Sequence, residues 1–191
     1  MITYLPDARL DNRTPIARDF LREGCPTVHE ACWHVWRLPY GRTSHPAHWR
    51  RVLHEGRGTC SSKHALIKAL ADERGLAIDL MLGIFWMHEA NTPGVGAVLA
   101  RHGLEALPEA HCYLRYQMHR IDLTVYPRQD VEPIDAFYEE HPIVPSQIGE
   151  YKRAFHRRFI AQHYGAGQLE AIWAIREECI AARQAAEEAA Q

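Results

Sequence analysis

The sequence predicts an α+β fold, and three observations carry that expectation. A glycine-loosened loop runs into a helix at Gly58-Thr59-Cys60, a bounded apolar stretch follows that helix, and two short strand-like runs come later. Helices come first, then strands, then helices again, without the regular alternation that builds a parallel sheet. A chain of 191 residues is of ordinary size for one domain with a proper core. We expect the main body at 1–165 and a C-terminal helix, 166–191, packed on it or extending from it.

Each element has a local reason. Thr14-Pro15 places a capping residue before a proline at the first helical position, and Gly24 or Pro26 ends that helix. Thr27-Val28-His29-Glu30 has the form of a capping box, so a second helix runs to about Trp36 and closes at Pro39 and Gly41. A polar loop spans Arg42 to Gly58, with a short helical turn near Trp49–Leu53. The Cys60 helix ends at Gly75, and Leu76–Met87 reads as a buried strand. Asn91–Pro108 is a long insertion with a short helix around Val98, of the kind that covers a site. Ala110–Gln117 and Arg120–Tyr126 read as two strands joined tightly. Pro127–Pro145 is irregular apart from a short helix at Ile134–Glu139. Ser146–His163 and Gln168 to about Ala190 are two helices separated by Gly165-Ala166-Gly167.

Composition excludes several classes of function. Hydrophobic residues make up 47% and charged residues 24%, as in globular proteins, and the net charge of −2 gives no electrostatic case for nucleic acid or an anionic membrane. No apolar run approaches the ~20 residues of a membrane helix, and the polar N-terminus does not read as a signal peptide. Five cysteines without framework spacing suggest reduced thiols and a cytoplasmic setting. The basic run Lys152, Arg153, His156, Arg157, Arg158 reads as a solvated helix face.

Chemistry concentrates at Cys60. Thr59 is a good N-cap, and the residues after Cys60 have strong helix propensity, so the cysteine falls in the first turn. Backbone N–H groups there lack intrahelical partners, and with the helix dipole they shift a thiol toward thiolate. At roughly 100° per residue, Cys60 projects with Ile67, Leu70 and Ala71 toward whatever the helix packs on.

A thiol nucleophile needs a base, and the base needs an orienting group. His64 lies one turn along the same helix, projecting past the end that carries the thiol. His111 is the better candidate. It opens the first strand of a hairpin whose second strand carries Asp122. With a two-residue or other even loop, paired positions add to an odd number, as 111 and 122 do, so both point to one face. Cys112, Leu114, Ile121, Leu123 and Val125 fill the other face.

The order Cys, His, Asp, with the cysteine at a helix start and its partners on neighbouring strands, resembles the transglutaminase-like superfamily. The matching stretches are Gly58-Thr59-Cys60-Ser61-Ser62, Ala110-His111-Cys112-Tyr113-Leu114 and Arg120-Ile121-Asp122-Leu123-Thr124. Ala31 to Gly41 is similar to the helix before the nucleophile in small bacterial members, so the resemblance covers roughly residues 27–127. It implies a papain-like α+β core, with the nucleophile helix packed on a small antiparallel sheet and extra helices at both ends. It also implies acyl transfer through Cys60 as nucleophile, His111 as base and acid, and Asp122 as orienter. The tight His-to-Asp connection departs from the longer loop of many members, and the chain lacks the extra β-sandwich domains of the animal enzymes, which weakens protein crosslinking as the activity.

The expected substrate is therefore a peptide, protein or small acyl compound, attacked through a thioester acyl-enzyme by hydrolysis or transfer. The Cys60 N–H is the natural first oxyanion donor, and His48 and Trp49 are both candidates for the second. The competing class is a non-catalytic binding module on the same fold. No cofactor or metal is expected. His29 and His34 are five residues apart, which turns them roughly 140° around a helix and prevents shared zinc ligation. The amphipathic C-terminal helix offers a surface for a dimer.

Overall fold

The computed structural model describes residues 1–125 and 131–189. Among them the chain is mixed α+β, with seven α-helices and a four-stranded antiparallel sheet. The helices are α1 (Pro15–Arg22), α2 (Val28–Arg37), α3 (Arg51–Glu55), α4 (Cys60–Glu73), α5 (Gly96–Arg101), α6 (Glu150–Tyr164) and α7 (Leu169–Ala189). The strands are β1 (Asp79–Met87), β2 (Leu107–Tyr116), β3 (His119–Ile121) and β4 (Glu139–Ile143), in the order β3-β2-β1-β4. Two compact units emerge. The first is Met1–Leu82, Cys112–Tyr126 and His141–Gly149; the second is Gly83–His111, Pro127–Glu140 and Glu150–Gln191.

In the first unit, α4 is the central element. Eleven of its fourteen residues are buried, Lys63 and His64 among them, and it packs against α1, α2 and α3. Ser62 Oγ accepts the Thr59 N–H at 3.0 Å, the reciprocal half of a capping box, and Gly75 closes the far end at φ 67°. α2 starts as expected, with Thr27 Oγ1 accepting the Glu30 N–H at 3.3 Å. Thr14 stands at the N-cap of α1, but its hydroxyl is buried without a hydrogen bond. The Glu73 carboxylate, at the end of α4, takes the Ile16 and Ala17 N–H groups instead, at 3.1–3.2 Å. An anion at a helix N-terminus is favoured by the orphan donors and the dipole together.

Several boundaries differ from the sequence expectation. β3 ends at Ile121 rather than Tyr126, which itself lies outside the described residues. The backbone turns away because Asp122 Oδ1 accepts the Thr124 N–H at 2.8 Å, while the Leu123 N–H is given to a side chain of α4. The β2–β3 register, Leu114↔Ile121 to Tyr116↔His119, leaves a two-residue turn with Gln117 at φ 53°. β2 begins three residues early, at Leu107. The expected irregular stretch from Pro127 starts outside the described residues, and Ile134–Glu139 forms no helix. Its backbone bonds to β1 instead: the Tyr138 N–H reaches the Ile84 carbonyl at 2.9 Å. Phe137 fills the space over Gly83, where a Cβ would stand 2.5 Å from its ring. β4 follows directly and was not expected.

In the second unit, the Asn91 side chain ties the start of the insertion down, accepting the His88 N–H at 3.1 Å and donating to the Trp86 carbonyl at 2.9 Å. Glu89 accepts the Gly94 and Gly96 N–H groups. α5, α6 and α7 enclose a core with Phe85, Met87, Leu99, Leu107, Ile160 and Ile180. The basic face of α6 is not uniformly solvated. His156 is 1% exposed, and Arg153, Arg157 and Arg158 pair with Glu150, Glu170 and Glu139. The period of the helix turns His156 inward beside Phe155 and Ile160, whereas charge alone suggests one polar surface.

Candidate active site

Cys60 is the first residue of α4 and 6% exposed, so its sulfur faces packed protein as the helix phase predicts. The approach to it is tightly built. Gly58 donates to the Pro39 carbonyl and accepts from the Gly41 N–H, both at 3.2 Å, which pins the loop against the end of α2. A Cβ on Gly58 would lie 2.9 Å from Lys63 Cγ and 3.1 Å from Val52 Cγ2, so close backbone approach is what requires glycine there.

Two neighbours of Cys60 on α4 have bonds that the sequence did not reveal. His64 is fully buried. Its Nε2 accepts the Leu123 N–H at 2.6 Å, so that nitrogen carries the lone pair and Nδ1 the proton. Nδ1–H then donates to the Cys60 carbonyl at 2.7 Å. With both ring nitrogens committed, His64 does not serve as the thiol's base. Lys63, also fully buried, donates from Nζ to the Leu38 carbonyl at 2.6 Å and to the Thr124 carbonyl at 2.7 Å. The i+3 and i+4 spacing from Cys60 was the available signal; the burial of both residues was not legible.

Asp122 stands one residue beyond β3, with Oδ1 3.6 Å from His64 Nε2. That separation is too long for a hydrogen bond, and the nitrogen's lone pair is already taken by Leu123. Cys60 and Asp122 belong to the first unit and His111 to the second. His111 is 2% exposed; its ring meets the edge of Phe85 at 5.7 Å and stacks on Phe137 at 6.3 Å. Of the two oxyanion candidates, His48 is exposed, and the half-buried Trp49 ring lies under the Arg50 guanidinium at 4.4 Å.

A second buried polar group lies two residues before His111. Glu109 receives both Nε and Nη2 of Arg176, at 2.7 and 2.6 Å. Burial alone would raise its pKa, but the guanidinium overrides this and holds the carboxyl well below the usual range. His156 donates from Nε2 to the Pro108 carbonyl at 2.7 Å. Neither Glu109 nor His156 was singled out as a connector in the sequence.

All five cysteines are buried, and none of them is joined in a disulfide. Burial pushes the Cys25 and Cys179 thiols up to about 11, and Cys32 further, so these three are protonated at neutral pH and inert as nucleophiles. Among the described residues no group of three or more His, Cys, Asp or Glu side chains is arranged to hold a metal ion, and no helix is long and apolar enough to cross a membrane. Compared with family models, with curated proteins and with solved structures, the chain matches none.

Proposed function

We propose that the chain is a transglutaminase-like thiol enzyme that hydrolyses or transfers an acyl group through Cys60, His111 and Asp122. The observation that carries this reading is the placement of Cys60 on the first turn of a buried helix whose next turn is bonded to the residues after Asp122. A structural cysteine at a helix cap needs no such link to the segment that follows Asp122, three strands later in the chain.

In this reaction the Cys60 thiolate attacks the acyl carbonyl carbon, and the carbonyl electrons move onto oxygen. The Cys60 N–H receives that oxyanion, a donor worth about 3 kcal/mol in such sites. His111, having taken the thiol proton, gives it to the leaving group as the tetrahedral centre collapses to a thioester. Water or an amine then attacks the thioester while His111 takes its proton, and the thiolate departs. Asp122 holds the imidazole in the required tautomer and stabilises its charged form.

Iodoacetamide at pH 6 tests the reading directly. Cys60 is expected to alkylate at least about tenfold faster than a solvent-exposed thiol of ordinary pKa, and His111→Ala is expected to abolish that advantage. Alkylation no faster than an exposed cysteine overturns the activated nucleophile and leaves a binding module.

A further inference from the structure

Lys63 and His64 have no part in the bond-making steps above, yet both are buried to the last atom in a helix that offers them no solvent. A buried ammonium group loses several kcal/mol of hydration, and a buried imidazole must satisfy two nitrogens. Both are satisfied, in part by the same three-residue segment. The Leu123 N–H goes to His64 Nε2 and the Thr124 carbonyl to Lys63 Nζ, so the first backbone donor and the second backbone acceptor after Asp122 are both held by α4. On its other side, His64 bonds to the carbonyl of the residue that carries the sulfur. Asp122 is fixed at its tip as well, with Oδ1 turned back onto the Thr124 N–H.

Resting on the reading of Cys60, His111 and Asp122 given above, we infer that His64, assisted by Lys63, is a positioning residue that sets Asp122 against the nucleophile helix. One imidazole ring spans from Cys60 to the residue next to the carboxylate. A change in its length or in either hydrogen bond therefore moves the orienting acid relative to the thiol. Displacements of about 1 Å in such constellations cost on the order of 100-fold in rate.

The test combines a spectroscopic signature with rescue. In protein labelled with 15N-histidine, His64 is expected as the Nδ1–H tautomer; an Nε2–H signal overturns the inference. Acylation of Cys60 is followed by p-nitrophenolate release from p-nitrophenyl acetate, and amide exchange is read at Leu123. His64→Ala is expected to speed Leu123 exchange and slow acylation by about 10–100-fold. His64→Gln, which keeps one donor and one acceptor, is expected to restore most of both. Lys63→Met, which removes only the ammonium group, is measured in the same way should His64→Ala fail to fold, and is expected to slow acylation in the same direction. Asp122→Asn separates the two possible failures. If it slows acylation while the His64 and Lys63 variants react like the wild type, positioning is overturned and the triad stands. If Asp122→Asn reacts like the wild type, the triad reading falls, and the positioning role of His64 falls with it.

Discussion

Lowering the pH from 7 to 4 should weaken the protein through the buried imidazole of His156. Burial is the main reason its pKa falls from 6.5 to about 4. The Glu109 carboxylate works against that shift, and Arg176 and Lys152 reinforce it. The unfolded chain takes up a proton on this imidazole near pH 6.5, whereas the folded chain resists until about pH 4. The contribution to stability is therefore complete above pH 6.5 and lost as the pH falls through the window down to 4. A gap of roughly 2.5 units at about 1.4 kcal/mol each comes to about 3 kcal/mol, a substantial share of the 5–15 kcal/mol typical of a folded domain. Glu109 extends the same trend below pH 4.5, since its depressed carboxyl stays ionised in the fold while the unfolded chain protonates. Urea unfolding at pH 7, 6, 5 and 4 measures the effect, with His156→Gln as the reference because it keeps a donor for the Pro108 carbonyl without titrating. The wild type should lose about 3 kcal/mol more than the variant across that range. Parallel curves, or an NMR titration of His156 with its midpoint near 6.5, would refute the argument.

Two further outcomes follow from the first unit. Gly58→Ala drives a methyl group against Lys63, Ser62 and Val52, and should cost about 1–3 kcal/mol by overpacking; unchanged urea stability would show that the loop before Cys60 can yield. Glu73→Gln should lower stability by about 1 kcal/mol at constant m-value, because it replaces the anion on the α1 N-terminus, whereas Thr14→Ala should stay within about 0.5 kcal/mol. The reverse ranking would return the capping role to Thr14.

Much of the element order was legible because local signals and tertiary structure agree. Thr27 with Glu30, Thr59 before the alanine- and leucine-rich run, and Gly75 after it place α2 and α4 nearly to the residue. Misreadings arose where a distant group supplies what the local sequence seems to supply. Thr14 occupies the cap position of α1, but the acceptor comes from Glu73, and no pattern within one helix reveals a partner 57 residues away. β4 carries the half-exposed run Glu139-Glu140-His141 and a proline, as suits a strand at the end of the sheet order, so its apolar signal is weak. β3 reads longer in sequence than it is, because alternation continues through Leu123 while that residue's N–H is already committed to α4.

The same distinction explains why the candidate site was only half visible. Cys60, His111 and Asp122 are recognisable by residue type and order, but the groups bonded to Cys60 and to the residues after Asp122 look like ordinary polar residues. In an amphipathic surface helix, Lys63 and His64 would mark the wet side. The first two turns of α4 are not such a helix: Lys63 and His64 are as buried as Leu66 and Ile67, so polarity there marks connection rather than solvent. A helical stretch buried on every side, as residues 60–67 are, can carry polar residues only if each finds a partner, and backbone groups just outside a neighbouring strand are the partners with unfilled ladder positions. Residues 123 and 124 occupy that position, two and three residues past the end of β3. Burying the start of α4 and ending the strand early are thus one structural event, and it leaves Asp122 in a segment that α4 itself holds in place.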